Sequence, residues 1–221
     1  MNINDAISQR HSTRAFLDEN VSLEQVNRIL DIARHAPSGV NTQPWQVAVV
    51  SGESKNKLQQ RIEQAFNAGI ESQIAYQYYP VTWKGVYKSR RRECGLQLYS
   101  SLNIAKEDRE KCKKQWAANY RAFDAPVMLL FFIDLEMETG SFLDYGMFLQ
   151  SVMLAAMEEG LATCPQAALA EYPDIVKQSL NYSSDTKLIC GMALGYEDID
   201  ADVNKYRTSR VAVTDFTHYF D

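Results

Sequence analysis

Three histidines and four cysteines are spread through 221 residues, and they keep no metal-binding spacing. His11, His35 and His218 stand far from one another, and Cys94, Cys112, Cys164 and Cys190 form no CxxC pair. A structural zinc site or a redox dithiol is therefore not expected. In a chain of this size the lone cysteines read as reduced thiols of a cytoplasmic protein, not as a disulfide framework. No glycine-rich fingerprint follows a strand, no Walker A loop is present, and no GxSxG elbow presents a serine. Nothing marks a side-chain nucleophile or a bound metal. If the chain is an enzyme, an organic cofactor supplies the reactivity. Strong basic charge is also missing: the net charge is −5, which argues against general nucleic-acid binding. The longest apolar run, Ala125 to Ile133, falls well short of the roughly 20 residues a bilayer requires, so no membrane association is expected. The segment MNINDAISQRHSTR lacks the apolar centre of a secretory leader.

What is present is patterned. With 46% hydrophobic residues the chain is long enough for one globular unit with a real core. Ser22 followed by Gln25 forms a capping box, and Leu23, Val26, Ile29, Leu30 and Ala33 recur at helical spacing until Pro37. WQVAVV reads as a strand, Ser54–Ala68 as a mostly polar helix, and Ala125–Ile133 as a buried central strand. SFLDYGMFLQSVMLAAMEEG is apolar nearly all round, which predicts a buried helix ending at Gly160. TCPQ is a loop or short strand, PDIVKQSL a short helix, and KLICGMALGYE another strand. The tail NKYRTSRVAVTDFTHYF is extended and ends in aromatics. Residues 71–123 differ in character, with nine aromatics and eleven Lys or Arg against five Asp or Glu. They read as a helical insertion within a single domain spanning 1–221. The strands do not alternate regularly with helices, so an α+β fold with one mostly antiparallel sheet flanked by helices is expected.

Certain stretches carry polar groups suited to a ligand. In QRHSTRAF, Arg10, Ser12 and Arg14 alternate, so an extended backbone puts two guanidiniums and a hydroxyl on one side. That is a phosphate grip, because guanidinium donors match phosphate oxygens; the same residues also fit a solvated turn. APSGVNTQPW offers Ser38, Asn41 and Gln43 beside Gly39, or is simply a helix-to-strand loop. RTSR, Arg207 to Arg210, is a further basic group or a charged surface arm. Cys164 in TCPQ has no neighbouring base and reads as a buried structural thiol.

Taken in order, these motifs resemble those of the FMN-dependent nitroreductase family over nearly the full chain. QRHSTRAF stands where the family has RRSxRxF, APSGVNTQPW matches APSxxNxQPW, and DYGMFLQSVMLAAMEEGL matches the long-helix pattern. TCPQ and the late ALGYED and RTSR complete the order. His11 stands where many members carry Arg.

The resemblance implies a nitroreductase-like fold, an intertwined homodimer and FMN bound where the subunits meet. Arg10, His11, Ser12 and Arg14 would contact FMN from one chain, with Arg210 near the phosphate and Arg207 adding charge there. Pro37, Ser38, Gly39, Asn41 and Gln43 would approach from the partner, and Pro165 and Gln166 would lie along the isoalloxazine ring. No side chain is catalytic in this scheme. Flavin N5 takes a hydride from NADPH or NADH and passes it to a nitroaromatic acceptor in a ping-pong cycle, with Arg14 tuning the reduced ring. Within the insertion, Trp83, Tyr87 and Arg91 are candidates for a lid that holds an anionic aromatic such as a nitrobenzoate. The family also includes flavin reductases, dehalogenases, and quinone or enone reductases. A flavin-binding protein without turnover stands as the non-enzymatic alternative. The motifs do not name the physiological acceptor or choose between NADH and NADPH.

Overall fold

The computed structural model describes residues 1–220. In chain order the elements are α1 (Ile3–Gln9), α2 (Leu23–Ala33), β1 (Gln46–Ser51), α3 (Gly52–Asn67), α4 (Gly85–Ser101), α5 (Arg109–Ala117), β2 (Val127–Asp134), α6 (Gly140–Glu158), β3 (Ala162–Gln166), α7 (Pro173–Leu180), β4 (Thr186–Gly195) and α8 (Asp202–Lys205). The strands form one antiparallel sheet in the order β1-β2-β4-β3.

β2 sits inside this sheet because it can be apolar on both faces: every residue from Val127 to Ile133 is buried. Side chains alternate along a strand, so β2 divides the core in two. Met128, Leu130 and Phe132 pack with Leu58 and Ile62 of α3 and Val176 of α7. Val127, Leu129, Phe131 and Ile133 pack with Val26 and Ile29 of α2 and with Tyr145, Phe148 and Val152 of α6. The β2–β4 register slips between Phe131 and Phe132, where Cys190 and then Leu188 stand opposite. The extra residue puts Ile189 and Cys190 together in the second core layer.

The helix ends follow the sequence signals. Ser22 caps α2 with the reciprocal Gln25 bond in place, and Asn181 closes α7 in the left-handed conformation. α6 departs from expectation. Its sequence predicts burial all round, yet Leu143 is 76% exposed and Met147 is 40% exposed. A helix buries one stripe against one sheet, and this chain covers only the stripe of Tyr145, Phe148, Val152 and Ala156. The 71–123 segment is helical only in its later part. Residues 70–84 hold no helix or strand, and the helices begin at Gly85. α4 buries none of its residues.

Two glycines of β4 set the site's position. A Cβ on Gly191 would lie 2.4 Å from Leu169 Cδ1, so glycine lets the Ala167–Ala170 turn sit directly on the strand. A Cβ on Gly195 would lie 2.6 Å from Pro126 Cδ and 3.1 Å from Phe16 Cδ1, so glycine lets the Arg10–Phe16 segment dock across the strand ends. Ser12 bridges Thr163 in parallel and Phe16 bridges Glu197 antiparallel, which holds that segment extended.

Candidate cofactor and acceptor site

The extended segment is pinned from both sides. Thr13 N–H donates to Thr163 O at 3.1 Å, and Leu17 N–H donates to Tyr196 O at 2.9 Å. Asn204, 3% exposed, accepts the Arg14 N–H at 2.8 Å and donates to Ala15 O at 2.8 Å and Asp198 O at 2.9 Å. A buried amide this fully bonded fixes both the segment and the α8 turn that leads to the tail. The consequence is a cavity of about 570 Å³ between them, with Arg10, Ser12, Arg14, Tyr206, Arg207 and Arg210 in its walls.

No Asp or Glu lines this cavity. Arg14 donates to Ser12 O at 3.1 Å and to the Tyr206 hydroxyl at 3.4 Å. Arg207 donates to Asn204 O and Tyr206 O, and Arg210 to Thr208 Oγ1 at 2.8 Å and to backbone carbonyls. Arg10 reaches only the Met153 sulfur, at 3.9 Å. Among the described residues none of these four guanidiniums is in an ion pair. Burial, and then the charge of Arg210, pull the Arg10 pKa below its ordinary value. Cations gathered without a counter-ion make a site for a polyanion. His11 faces a separate partner: its Nε2 lies 2.8 Å from Glu197 Oε1.

Pro165 is exposed on β3, beside Gln166, which is 4% exposed. Gln166 Nε2 donates to Asn119 O at 2.9 Å and Asn119 Oδ1 at 3.2 Å, while its Oε1 is buried without a partner. The neighbouring Cys164 thiol is buried, which pushes its pKa up and suits a structural role.

The Pro37–Gln43 loop contributes nothing to the walls of the arginine cavity. It is a rigid tip elsewhere on the chain. Gly39 N–H donates to Asp144 Oδ2 at 3.1 Å, Gln43 N–H to Ser38 Oγ at 2.9 Å, and Thr42 Oγ1 to Gly39 O at 3.0 Å. Val40, Asn41 and Gln43 all have positive φ, and Val40 is 98% exposed. Trp45 anchors the loop by stacking on Phe148 with ring centroids 4.8 Å apart. A β-branched residue held left-handed and bare to solvent marks a constrained, outward-facing tip.

The insertion residues form a run of aromatic contacts. Phe142 of α6 meets Tyr76, then Tyr78, Tyr79 and Trp83 follow, with centroid separations of 5.1, 6.1, 4.6 and 5.6 Å. Arg91 lies over the Trp83 ring at 5.3 Å, and Arg90 over Tyr87 at 5.8 Å. Tyr87 itself is 65% exposed, outside the aromatic run. The residues that sequence reasoning passed over are Asn204 and Tyr206. Each is a lone residue in an unremarkable context, and no local pattern marks it.

The model of the Nitroreductase family matches residues 7–196. A 4-nitrobenzoate reductase from Pseudomonas putida is 37% identical over 213 residues, covering 96% of this chain and 93% of that protein. Among solved structures, the FMN and NADPH-dependent nitroreductase NfnB from Sphigopyxis sp. strain HMH is 38% identical, with full coverage of both chains and a TM-score of 0.97. NfnB from Mycobacterium smegmatis, an FMN-dependent nitroreductase solved in complex with NADPH, is 32% identical over 99% of this chain and 97% of that one, with a TM-score of 0.94.

Proposed function

The chain belongs to the nitroreductase family, and from that premise we propose that it binds FMN and reduces nitroaromatic compounds at the expense of NADPH or NADH. The observation that carries the reading is the cavity of four guanidiniums with no acid in its walls. An FMN phosphate supplies the missing negative charge, and the cavity's Ser12 and Tyr206 hydroxyls supply donors for the chain behind it. The exposed Pro165 offers a flat apolar surface to the ring, and the unpaired Gln166 Oε1 offers an acceptor. The residues present therefore fit the group. When bound, the flavin takes up a hydride from the reduced dinucleotide and passes the electrons to the acceptor.

The protein's share is binding and orientation. Arg10 and Arg210 hold the phosphate, with Arg207 adding charge at the shared wall. Ser12 orients the linker. His11, held by Glu197, lines the edge of the cavity. Arg14, also in the cavity wall, favours negative charge on the ring. Pro37, Ser38, Gly39, Asn41 and Gln43 complete the site from a partner chain, which makes the protein a homodimer. The uncovered stripe of α6 supports this, as do exposed Phe216, Tyr219 and Phe220 in the tail.

For the acceptor we favour a carboxylated nitroaromatic, stacked on the Tyr79–Trp83 end of the aromatic run with Arg91 beside its carboxylate. Tyr87, standing outside that run, plays the lesser part. Likeness to a 4-nitrobenzoate reductase supports this choice. A quinone, enone or halophenol acceptor on the same fold is the competing reading.

The test begins with the purified protein, expected to be yellow with about one FMN per chain and to bleach on NADPH addition. A product screen with nitrobenzoate, nitrobenzene, a quinone and a halophenol then ranks acceptors by kcat/KM. A colourless protein that takes up no added FMN refutes the cofactor assignment. Equal turnover of charged and neutral nitroaromatics refutes the role given to Arg91.

A further inference from the structure

Three successive residues ahead of β2 are left-handed and none is glycine: Ala122, Phe123 and Asp124 have φ of 52°, 53° and 62°. L-residues avoid this region because Cβ crowds the next carbonyl oxygen. A run of three persists only where surrounding contacts impose it. Those contacts are present. Arg121 donates from Nε to Asp124 Oδ1 at 2.8 Å, closing the turn, and its Nη1 pairs with Glu63 of α3. Ala122 and Phe123 are buried in the first core layer.

The turn places the Phe123 ring below the Arg14 guanidinium, with Cζ 6.0 Å from the ring centroid. The Arg14 guanidinium otherwise hydrogen-bonds only to a carbonyl and a hydroxyl, from Ser12 and Tyr206. We infer that Phe123 is a positioning residue for Arg14, and that the left-handed turn serves to bring its ring there. A carboxylate in that place would hold the guanidinium more firmly but cancel the charge the cavity uses. An aromatic face holds it through the ring quadrupole and leaves the charge intact. The arrangement keeps Arg14 fixed and cationic in a wall from which acids are absent.

This inference rests on the FMN reading of the cavity for its functional consequence. The test replaces Phe123 with phenylalanine analogues carrying one, two and three ring fluorines, which weaken the quadrupole with little change of shape. The midpoint potential of bound FMN and its affinity in both redox states are then measured. Affinity for reduced FMN should fall stepwise along the series, reaching about threefold to tenfold. Oxidised FMN should lose less, and since the ratio of the two losses sets the potential, it should drop by at most roughly 15–30 mV for a two-electron couple, at about 30 mV per tenfold. In an Arg14→Gln background the series should have no effect. An unchanged potential along the series, or an equal shift in both backgrounds, overturns the inference. Should the wild type bind no FMN, the cofactor reading falls, and the Arg14 Nε–H resonance of the ligand-free protein decides this one separately. Stepwise broadening with fluorination supports the pairing, and a constant line overturns it.

Discussion

Replacing Arg10 by methionine should stabilise the ligand-free protein and weaken its hold on FMN. Arg10 lines the cavity half-buried, reaches no carboxylate, and has its pKa lowered by burial and by Arg210. Its charge is thus unfavourable in the empty fold. Methionine keeps an unbranched stem against Met153 and removes the charge. Because solvent screens a half-exposed pair, the gain is on the order of 1 kcal/mol or less. That corresponds to a rise of at most about 2–4 °C in Tm for a chain of this length. With FMN bound the sign reverses. One charge-assisted hydrogen bond contributes about 1.5–3 kcal/mol, so affinity should fall by about tenfold to a hundredfold. Added salt should narrow the gap between wild type and variant, since part of the difference is Coulombic. Thermal melts of stripped protein, with and without a saturating excess of FMN, would show the two effects crossing. A variant that is less stable when empty, or that binds FMN as well as the wild type, shows that Arg10 is paired in a way the cavity does not reveal.

Tyr145→Phe should cost about 1–3 kcal/mol in urea unfolding, because its buried hydroxyl lies 2.8 Å from Phe132 O and accepts the Gln46 N–H at 3.2 Å; an unchanged midpoint would mean those groups re-pair without it. Gly191→Ala should destabilise by about 1–3 kcal/mol through the clash with Leu169, and pairing it with Leu169→Ala should recover part of the loss. No recovery in the double variant would place the strain at the atoms that alanine leaves behind, the residue 169 Cβ at 2.8 Å and Leu129 O at 3.1 Å. Burial raises the Glu171 pKa, against a smaller opposing effect of the bond from Tyr120. The folded state therefore holds that proton more tightly than the unfolded chain. Its contribution to stability is complete below the ordinary carboxylate value of about 4.3 and is lost as pH rises through the folded value. Glu171→Gln should accordingly gain stability relative to wild type as pH rises from 4 towards 7, and parallel pH profiles would argue against the shift.

The sequence alone was enough for what is local. Helical spacing and a capping box located α2, and a nine-residue apolar run located β2. The order of short motifs pointed to the family. These features are legible because helix and strand periods, caps and turns are written in neighbouring residues. Even so, periodicity left two things undecided. It did not show that α6 covers one stripe and leaves Leu143 and Met147 bare, since that depends on what packs against the helix. It did not show that residues 122–124 turn left-handed, since nothing in Ala-Phe-Asp favours that conformation over the pull of Arg121 and Glu63. The site itself is tertiary. Arg10, Arg14, Arg207 and Arg210 face one cavity because Asn204 ties the backbone of Arg14 to a turn 190 residues away. A single asparagine carries no pattern, and a bond across that separation exists only after the sheet has brought the two segments together. Charge composition showed that the arginines were present; only the fold showed that they stand together without an acid among them.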